Sequence, residues 1–163
     1  MNYFDGRNTE LFTEIIDSWR GTPYKHLNHV KSRAVDCSLF IGYSLLEAGI
    51  LTEIKHGHYS PGWWQWSHDQ FLLKMFREHF DKYMAPGLKY SEYLYTEDSC
   101  LIFGDILLFT LKDKCPVFTH AGIYIGNEEM IHSFPKRDVG TIKLGNYFTK
   151  RMPLFIRVEK MED

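Results

Sequence analysis

The chain has 163 residues, a length at which one domain buries roughly two thirds of its unfolded surface without disulfides or a structural metal. Its 19 basic and 21 acidic residues are interleaved and give a formal net charge of −2, which argues against binding to nucleic acid or to an anionic membrane. The 3 cysteines lie far apart, without the close pairs of a zinc site or a redox motif, so a reducing compartment fits best. We expect a single domain over residues 1–163.

The N-terminal residues are polar and acidic, whereas a cleavable secretory signal is basic and then apolar. No apolar run approaches membrane-spanning length, and no glycine-rich phosphate loop indicates a nucleotide cofactor. We therefore expect a protein that is made in the cytoplasm, without a membrane span or a cofactor. If it acts outside its own cytoplasm, then lysis, a particle or a dedicated secretion machine must deliver it.

Apolar residues at helical spacing predict a first helix over residues 10–19, which stops at a Gly-Thr-Pro turn. The polar and basic stretch that follows, residues 24–35, has no period and is interpreted as an exposed loop. Its two histidines, His26 and His29, are predicted to face solvent.

A second helix is predicted to begin at Cys37 and to end at Gly49. Asp36 is of a residue type that caps helix N-termini, and the helix carries an apolar stripe of Phe40, Ile41, Leu45 and Ala48. Unpaired backbone amides and the helix dipole favour a thiolate at the first position, so Cys37 is predicted to be a nucleophile near neutral pH. The carboxylate of Asp36 acts partly against that shift, and a cysteine considered alone is more often a small buried apolar residue.

Residues 55–98 form a separate, aromatic-rich region that is predicted to be helical. Trp63, Trp64 and Trp66 precede a Ser-His-Asp-Gln sequence at 67–70, which is a capping-box pattern for the start of a helix. The apolar residues of that helix run from Phe71 to Tyr83. The tryptophans either wall a cleft over the thiol or pack a small extra core, which is the commoner arrangement for such residues.

Strand patterns dominate after this region. Short apolar or alternating runs predict five strands, over residues 105–111, 118–125, 130–134, 140–144 and 154–158. Because the helices come first and antiparallel strands follow, the predicted fold class is α+β rather than a doubly wound parallel sheet.

One predicted strand carries His120, and the next carries His132. Strand alternation puts Ile123 on the core face and leaves His120 on the other face, projecting toward an open surface. An odd loop or a compensating bulge would pair Ile123 with Ile131 and put His132 on the face of His120. We expect this arrangement, because the alternative register buries an imidazole and exposes Ile131.

Together, Cys37, His120 and His132 can supply the parts of thiol catalysis. A thiolate attacks an acyl carbon, one imidazole holds and returns the proton, and a third group fixes the tautomer of that imidazole. A single histidine on a strand face is most often a bystander. A second histidine on the same face, with a cysteine at a helix start, favours the catalytic interpretation.

Five short blocks resemble the NlpC-type papain-like cysteine peptidases, which cut bacterial cell-wall peptides. They are GTPY at 21–24, DCS at 36–38 with AGI at 48–50, GDILLF at 104–109, HAGIYIG at 120–126 and MIHS at 130–133. The resemblance implies a papain-like fold with the cysteine at the start of a central helix on an antiparallel sheet, and a helical insertion before the first strand. It implies that Cys37 is the nucleophile, His120 the general base and His132 the third member.

The resemblance also implies the surroundings of the thiol. Tyr24 matches a tyrosine that lines the site, and we take Asp36 and Ser38 as the further substrate or oxyanion candidates, with the Cys37 amide as one oxyanion donor. Leu39 stands where the family has glycine and is expected to crowd the site. The accepted acyl group is therefore expected to differ from the usual D-glutamyl group.

The leading interpretation is a cysteine peptidase that hydrolyses an amide bond in cell-wall stem peptides or similar short peptides through a thioester. Two alternatives stay open, an acyltransferase that uses a lipid or amine acceptor and a catalytically inert binding module. No metal site is indicated, because the pairs His26 with His29 and His56 with His58 have no third ligand nearby in sequence.

Overall fold

The computed structural model describes residues 1–57, 60–65, 69–112 and 114–162. Its helices are α1 (Gly6–Ser18), α2 (Cys37–Glu47), α3 (Phe71–Tyr83) and the short α4 (Asn146–Thr149), with a 3-10 turn at Trp63–Gln65. Its strands are β1 (His29–Val30), β2 (Ala34–Val35), β3 (Leu88–Leu94), β4 (Ile106–Phe109), β5 (His120–Gly126), β6 (Glu129–His132), β7 (Gly140–Lys143) and β8 (Leu154–Lys160).

Six of the strands form one antiparallel sheet, in the order β3-β8-β4-β5-β6-β7. Helices α1, α2 and α3 pack on one face, where Phe12, Phe40 and Phe76 belong to the main core. A smaller core on the opposite face contains Phe109 of β4 and Phe148 of α4. Helices therefore cover an antiparallel sheet, and the predicted α+β class is confirmed.

Two parts of the β-structure differ from the prediction. The stretch 24–35, expected to be a loop, contains the hairpin of β1 and β2, in which His29 pairs with Val35. Strand β3 lies in the region that the sequence predicts to be helical, and it pairs along its whole length with β8. It is an edge strand without a fully buried residue, so it lacks the apolar alternation by which a strand is found in sequence.

Helix α3 begins later than the capping-box pattern predicts. Asp69 and Gln70 precede the helix and do not lie in its first turn, while Ser67 lies outside the described residues. The side chain of Gln70 binds another segment, since its oxygen accepts the Phe118 N–H at 2.9 Å and its nitrogen donates to the Pro116 carbonyl at 3.1 Å. Tertiary hydrogen bonds thus take the place of the predicted local cap.

The register of β5 and β6 is the one that burial requires. Ile123 pairs with Ile131, as predicted, and both are fully buried. The connecting turn places Asn127 and Glu128 at positive φ, and the register shifts by a bulge between Tyr124 and Gly126. Of the two possibilities considered, the compensating bulge is the one present, and it keeps His132 on the face of His120.

No described helix has the length and apolar character needed to cross a membrane. The longest, α1 and α3, have 13 residues each, well below the roughly 20 that a bilayer requires. The described residues also include no group of three or more His, Cys, Asp or Glu side chains that could hold a metal ion.

Candidate active site

Asp36 joins the start of α2 to the chain segment in front of it. Its Oδ1 accepts hydrogen bonds from the Leu39 N–H at 2.8 Å and the Ser38 hydroxyl at 3.0 Å, and its Oδ2 accepts from the Leu27 N–H at 2.9 Å. The predicted N-cap is therefore confirmed. This one buried carboxylate holds Cys37 at the first position of the helix.

Cys37 is partly exposed and lies in a cleft of about 540 Å³. The cleft is formed by the segment before α2, by the insertion and by the loops at the end of β4 and the start of β5. Its lining includes Tyr24, His26, Asp36, Lys55, Gly57, Pro61, Trp63, Phe71, Lys74, Glu78, His79, Lys112, Phe118 and Pro135. The cleft is large enough for a short peptide.

The pKa of the Cys37 thiol is raised to about 12, mainly because burial removes water from the sulfur and secondarily because the Asp36 carboxylate repels a thiolate. Hydrogen bonds from the backbone N–H groups of Ala121, Ser38 and Cys37 itself act in the opposite direction. The prediction of a lowered pKa is therefore wrong for the resting protein. Desolvation and the capping carboxylate outweigh the helix N-terminus, and the thiol is protonated at neutral pH.

His120 and His132 form a hydrogen-bonded pair. The Nε2 atom of His120 lies 2.8 Å from the Nδ1 atom of His132, and the two ring centroids are 5.0 Å apart. The side chains are only 3% and 4% exposed, because the rings of Phe109, Phe134 and Phe148 surround them. The two histidines share a face as predicted, but α4 covers that face, so the expectation of an open surface is wrong.

Both imidazoles are held uncharged. Burial, followed by the neighbouring His132, lowers the pKa of His120 well below its ordinary value of 6.5. Burial, followed by the charge of Arg137, lowers the pKa of His132 to about 4. With both rings neutral, one must donate the shared proton and the other must accept it.

The thiol lies close to the strand that carries His120. The backbone N–H of Ala121, the residue that directly follows His120 on β5, is near enough to the Cys37 sulfur to act against the rise of the thiol pKa. Because Nε2 of His120 is occupied by His132, Nδ1 is the ring nitrogen left for another partner. The fold thus joins His120 to His132 and brings Cys37 of α2 to the start of β5.

The other predicted site residues lie in different places. Tyr24 lines the cleft and its backbone bridges to Val35, whereas Ser38 is buried with its hydroxyl bound to Asp36 and does not line the cleft. The structure places Ser38 in the helix cap and not on a substrate-facing surface. Leu39 is 3% exposed and packs in the main core, so the expectation that it crowds the site is wrong.

The insertion contributes a wall of the cleft. Trp63 lines the cleft and packs edge-on against Phe71, with ring centroids 5.1 Å apart. Trp63 is also buried, so it has both of the predicted roles. The side chain of Trp64 and all of Trp66 lie outside the described residues.

Sequence reasoning missed the charged part of the cleft. Lys55, Lys74 and Lys112 lie along its lining, and they come from three distant segments. His26 is half-buried in the same lining, and His29 is half-buried and stacks on Tyr43 at 4.8 Å, so both are only partly exposed to solvent. No local pattern marks these residues, since only folding brings them to one surface.

The chain is similar to known proteins in sequence pattern and in fold. A sequence profile of the NlpC/P60 family matches residues 21–157. A Staphylococcus aureus subsp. aureus Mu50 protein, similar to a lipoprotein of the NLP/P60 family, aligns with a TM-score of 0.58 and 15% identity over 95% of this chain. The NlpC/P60 domain of the peptidoglycan hydrolase SagA aligns with a TM-score of 0.53 and 18% identity over 93% of this chain and 98% of its own.

A further structure with this fold is RipD from Mycobacterium tuberculosis, a non-catalytic NlpC/p60 domain protein adapted to peptidoglycan binding. It aligns with a TM-score of 0.52 and 14% identity over 94% of this chain and 98% of its own. The chain covers 42% of the Staphylococcus aureus structure, so it spans less than half of that protein. No curated protein matches the chain in sequence.

Proposed function

Because this chain belongs to the NlpC/P60 family, we propose that it is a cysteine peptidase that hydrolyses an amide bond in cell-wall stem peptides or similar short peptides. Members of this family are typically peptidoglycan hydrolases, and some are non-catalytic binding modules. The observation that carries the proposal is the position of the Cys37 thiol in the cleft, near the Ala121 N–H at the start of β5, where the ring of His120 is bound to His132.

The first step is attack by the Cys37 sulfur on the amide carbon of the peptide. Since burial keeps the thiol protonated at rest, its proton leaves during the attack and passes to Nδ1 of His120. Nδ1 can accept it because Nε2–H of His120 donates to Nδ1 of His132. His132 is uncharged above about pH 4, so it remains an acceptor and fixes this tautomer.

The second half of the reaction regenerates the thiol. The tetrahedral intermediate collapses to a thioester as the amine leaves with the proton held by His120. Water then attacks the thioester, gives its proton to the same imidazole and releases the acid, while the sulfur recovers a proton. The Cys37 N–H is one donor to the negatively charged oxygen, and Tyr24, which also lines the cleft, is the candidate for the second.

The experiment is hydrolysis of soluble stem-peptide fragments from purified cell walls, followed by mass spectrometry. Cleavage yields two fragments whose masses together exceed that of the substrate by one water. Cys37→Ala and His120→Ala should both lack this activity, while Cys100→Ala, which changes an exposed cysteine, should retain it. Hydrolysis that survives in Cys37→Ala would refute the proposal.

A second candidate is a binding module without catalysis. It is favoured by the raised pKa of the Cys37 thiol and the lowered pKa of His120, which leave no thiolate–imidazolium pair at rest. RipD is a precedent for such a role in this fold. Binding of the same peptides to wild-type protein, without any change in their mass, would support this candidate. A product that joins the acyl group to an added amine or lipid would instead indicate an acyltransferase.

A further inference from the structure

A short segment before the 3-10 turn, residues 54–57, forms one wall of the cleft. Lys55 and Gly57 line the cleft on the same surface as Cys37. The segment has no regular secondary structure, so no backbone ladder within the sheet holds it in place. Contacts made by side chains therefore hold this wall beside the thiol.

His79 of α3 provides one of these contacts. Its Nδ1 lies 2.7 Å from the carbonyl oxygen of Met75, to which it must donate, since a carbonyl only accepts. Its Nε2 lies 2.9 Å from the backbone nitrogen of Lys55 and accepts the N–H of that residue. An imidazole that donates through one nitrogen and accepts through the other is uncharged, so both hydrogen bonds require the neutral ring.

A second contact fixes the same segment from the other side. The ring of His56 lies 4.7 Å from the ring of His29, and its Nε2 is 3.3 Å from the hydroxyl of Tyr43. Hairpin β1–β2 and helix α2 thus hold one side of the wall, and α3 holds the other through His79. Of these contacts, the hydrogen bond from the Lys55 N–H is the one that holds the segment to α3, and both Lys55 and His79 line the cleft.

We propose that His79 is a positioning residue for the candidate active site, whose uncharged ring holds the wall segment against α3 by accepting the Lys55 N–H. This inference deepens the proposed function and rests on it, because the wall matters for activity only when the cleft holds a substrate. His79 does not take part in the chemical step. It acts through residues 54–57, which shape the cleft around the thiol.

The hydrogen bond depends on the uncharged form of the ring. A proton on Nε2 would remove the lone pair that accepts the Lys55 N–H and would put two donors opposite each other. A charged ring would also lie beside a small apolar cavity, where Ser38, Leu39, Gly42 and Leu45 of α2 face His79. Lys55 and Glu78 share the cleft lining with His79, Lys55 also pairs with Glu53, and Tyr83 packs against the ring. The positive charge of Lys55 would repel a charged ring, so the neutral ring is the one that fits the closed wall.

Amide hydrogen exchange tests this positioning contact without reference to activity. The protection factor of the Lys55 amide should fall by about tenfold or more in His79→Leu, which fills a similar space without an acceptor. The matched control is the Ala85 amide, which donates to the Ile50 carbonyl at 2.9 Å and should show no such fall. His79→Gln keeps an acceptor near the position of Nε2 and should retain the protection of the Lys55 amide.

Two outcomes overturn this role of His79: an unchanged Lys55 protection factor in His79→Leu, or an equal fall in His79→Gln. A hydrolysis assay then separates the positioning role from the proposed function. KM should rise in His79→Leu with little change in kcat, and His79→Gln should keep KM near the wild-type value, since only His79→Leu loses the contact that holds the wall. Loss of Lys55 protection in His79→Leu without hydrolysis by any of the three proteins would support the positioning role and refute the peptidase.

Discussion

The role of His132 can be tested by two substitutions that differ in one hydrogen-bond acceptor. His132→Leu fills the space between the aromatic rings that surround His132, but it removes the acceptor that lies 2.8 Å from Nε2 of His120. His132→Asn places a neutral amide oxygen close to the position of Nδ1 and keeps an acceptor. If His132 fixes the tautomer of His120, the two variants should differ widely in activity although both remove an imidazole.

The expected size of the effect follows from the burial of the pair. In the resting protein the hydrogen bond joins two neutral rings and stabilises the native state by about 1 kcal/mol, whereas a charged donor contributes about 1.5–3 kcal/mol. Without an acceptor, the buried Nε2–H of His120 has no hydrogen-bond partner. The ring avoids this cost only if its proton moves to Nδ1, and Nδ1 can then no longer accept the proton of the thiol. We expect a total loss of about 3 kcal/mol in transition-state stabilisation, or about 100-fold in kcat/KM, for His132→Leu.

The assay is the rate of hydrolysis of a purified stem peptide, with products separated and weighed by mass spectrometry. His132→Asn should retain kcat/KM within about tenfold of the wild type, because its amide oxygen accepts the same proton. Thermal unfolding of all three proteins controls for folding. Equal hydrolysis by folded His132→Leu and folded His132→Asn would show that the tautomer argument is wrong.

Three further predictions concern the cap, the buried histidine pair and a close contact of a glycine. Asp36→Asn removes the negative charge that helps to raise the pKa of Cys37, so iodoacetamide should alkylate Cys37 faster at neutral pH. Asn keeps the cap on the Leu39 N–H but puts an NH2 group opposite the Leu27 N–H, so the free energy of unfolding should fall by about 1–2 kcal/mol. Because the folded pKa of His132 is about 4, below its ordinary 6.5, the unfolded chain binds the proton first and stability is lost as pH falls from 6.5 toward 4. Denaturant titrations should show that this loss is smaller by up to about 3 kcal/mol in His132→Asn. A Cβ on Gly104, which has φ +89°, would overlap the ring of Phe4, so Gly104→Ala should lower the free energy of unfolding by about 3 kcal/mol. Gly140→Ala is the control, since its Cβ would make only an ordinary contact at 3.7 Å, and a larger loss there would contradict the packing argument.

Local signals in the sequence determined the elements that carry the candidate site. Asp36 caps α2 as predicted because an N-cap depends on one side chain and the next few backbone N–H groups. The pairing of Ile123 with Ile131 follows from alternation, since any other register exposes one apolar face. These interactions reach over a few residues, so the order of residues along the chain contains the information needed to predict them.

The chemical state of the site was decided by the tertiary structure. The helix N-terminus alone predicts a reactive thiolate at Cys37, but burial raises its pKa to about 12. Strand alternation alone predicts an open face for His120, but the residues that cover it belong to other parts of the chain, such as Phe148. Desolvation depends on every atom that excludes water from a group, whatever its distance in sequence.

The same reason explains which features of the cleft were missed. Strand β3 is recognisable only through its pairing with β8, and the hydrogen bond between Lys55 and His79 joins residues whose local sequences carry no sign of each other. The sequence by itself determined the nucleophile candidate, the histidine pair and the family. The tertiary structure decided the protonation states, the shape of the cleft and the contacts that hold its wall, because these depend on long-range burial and packing.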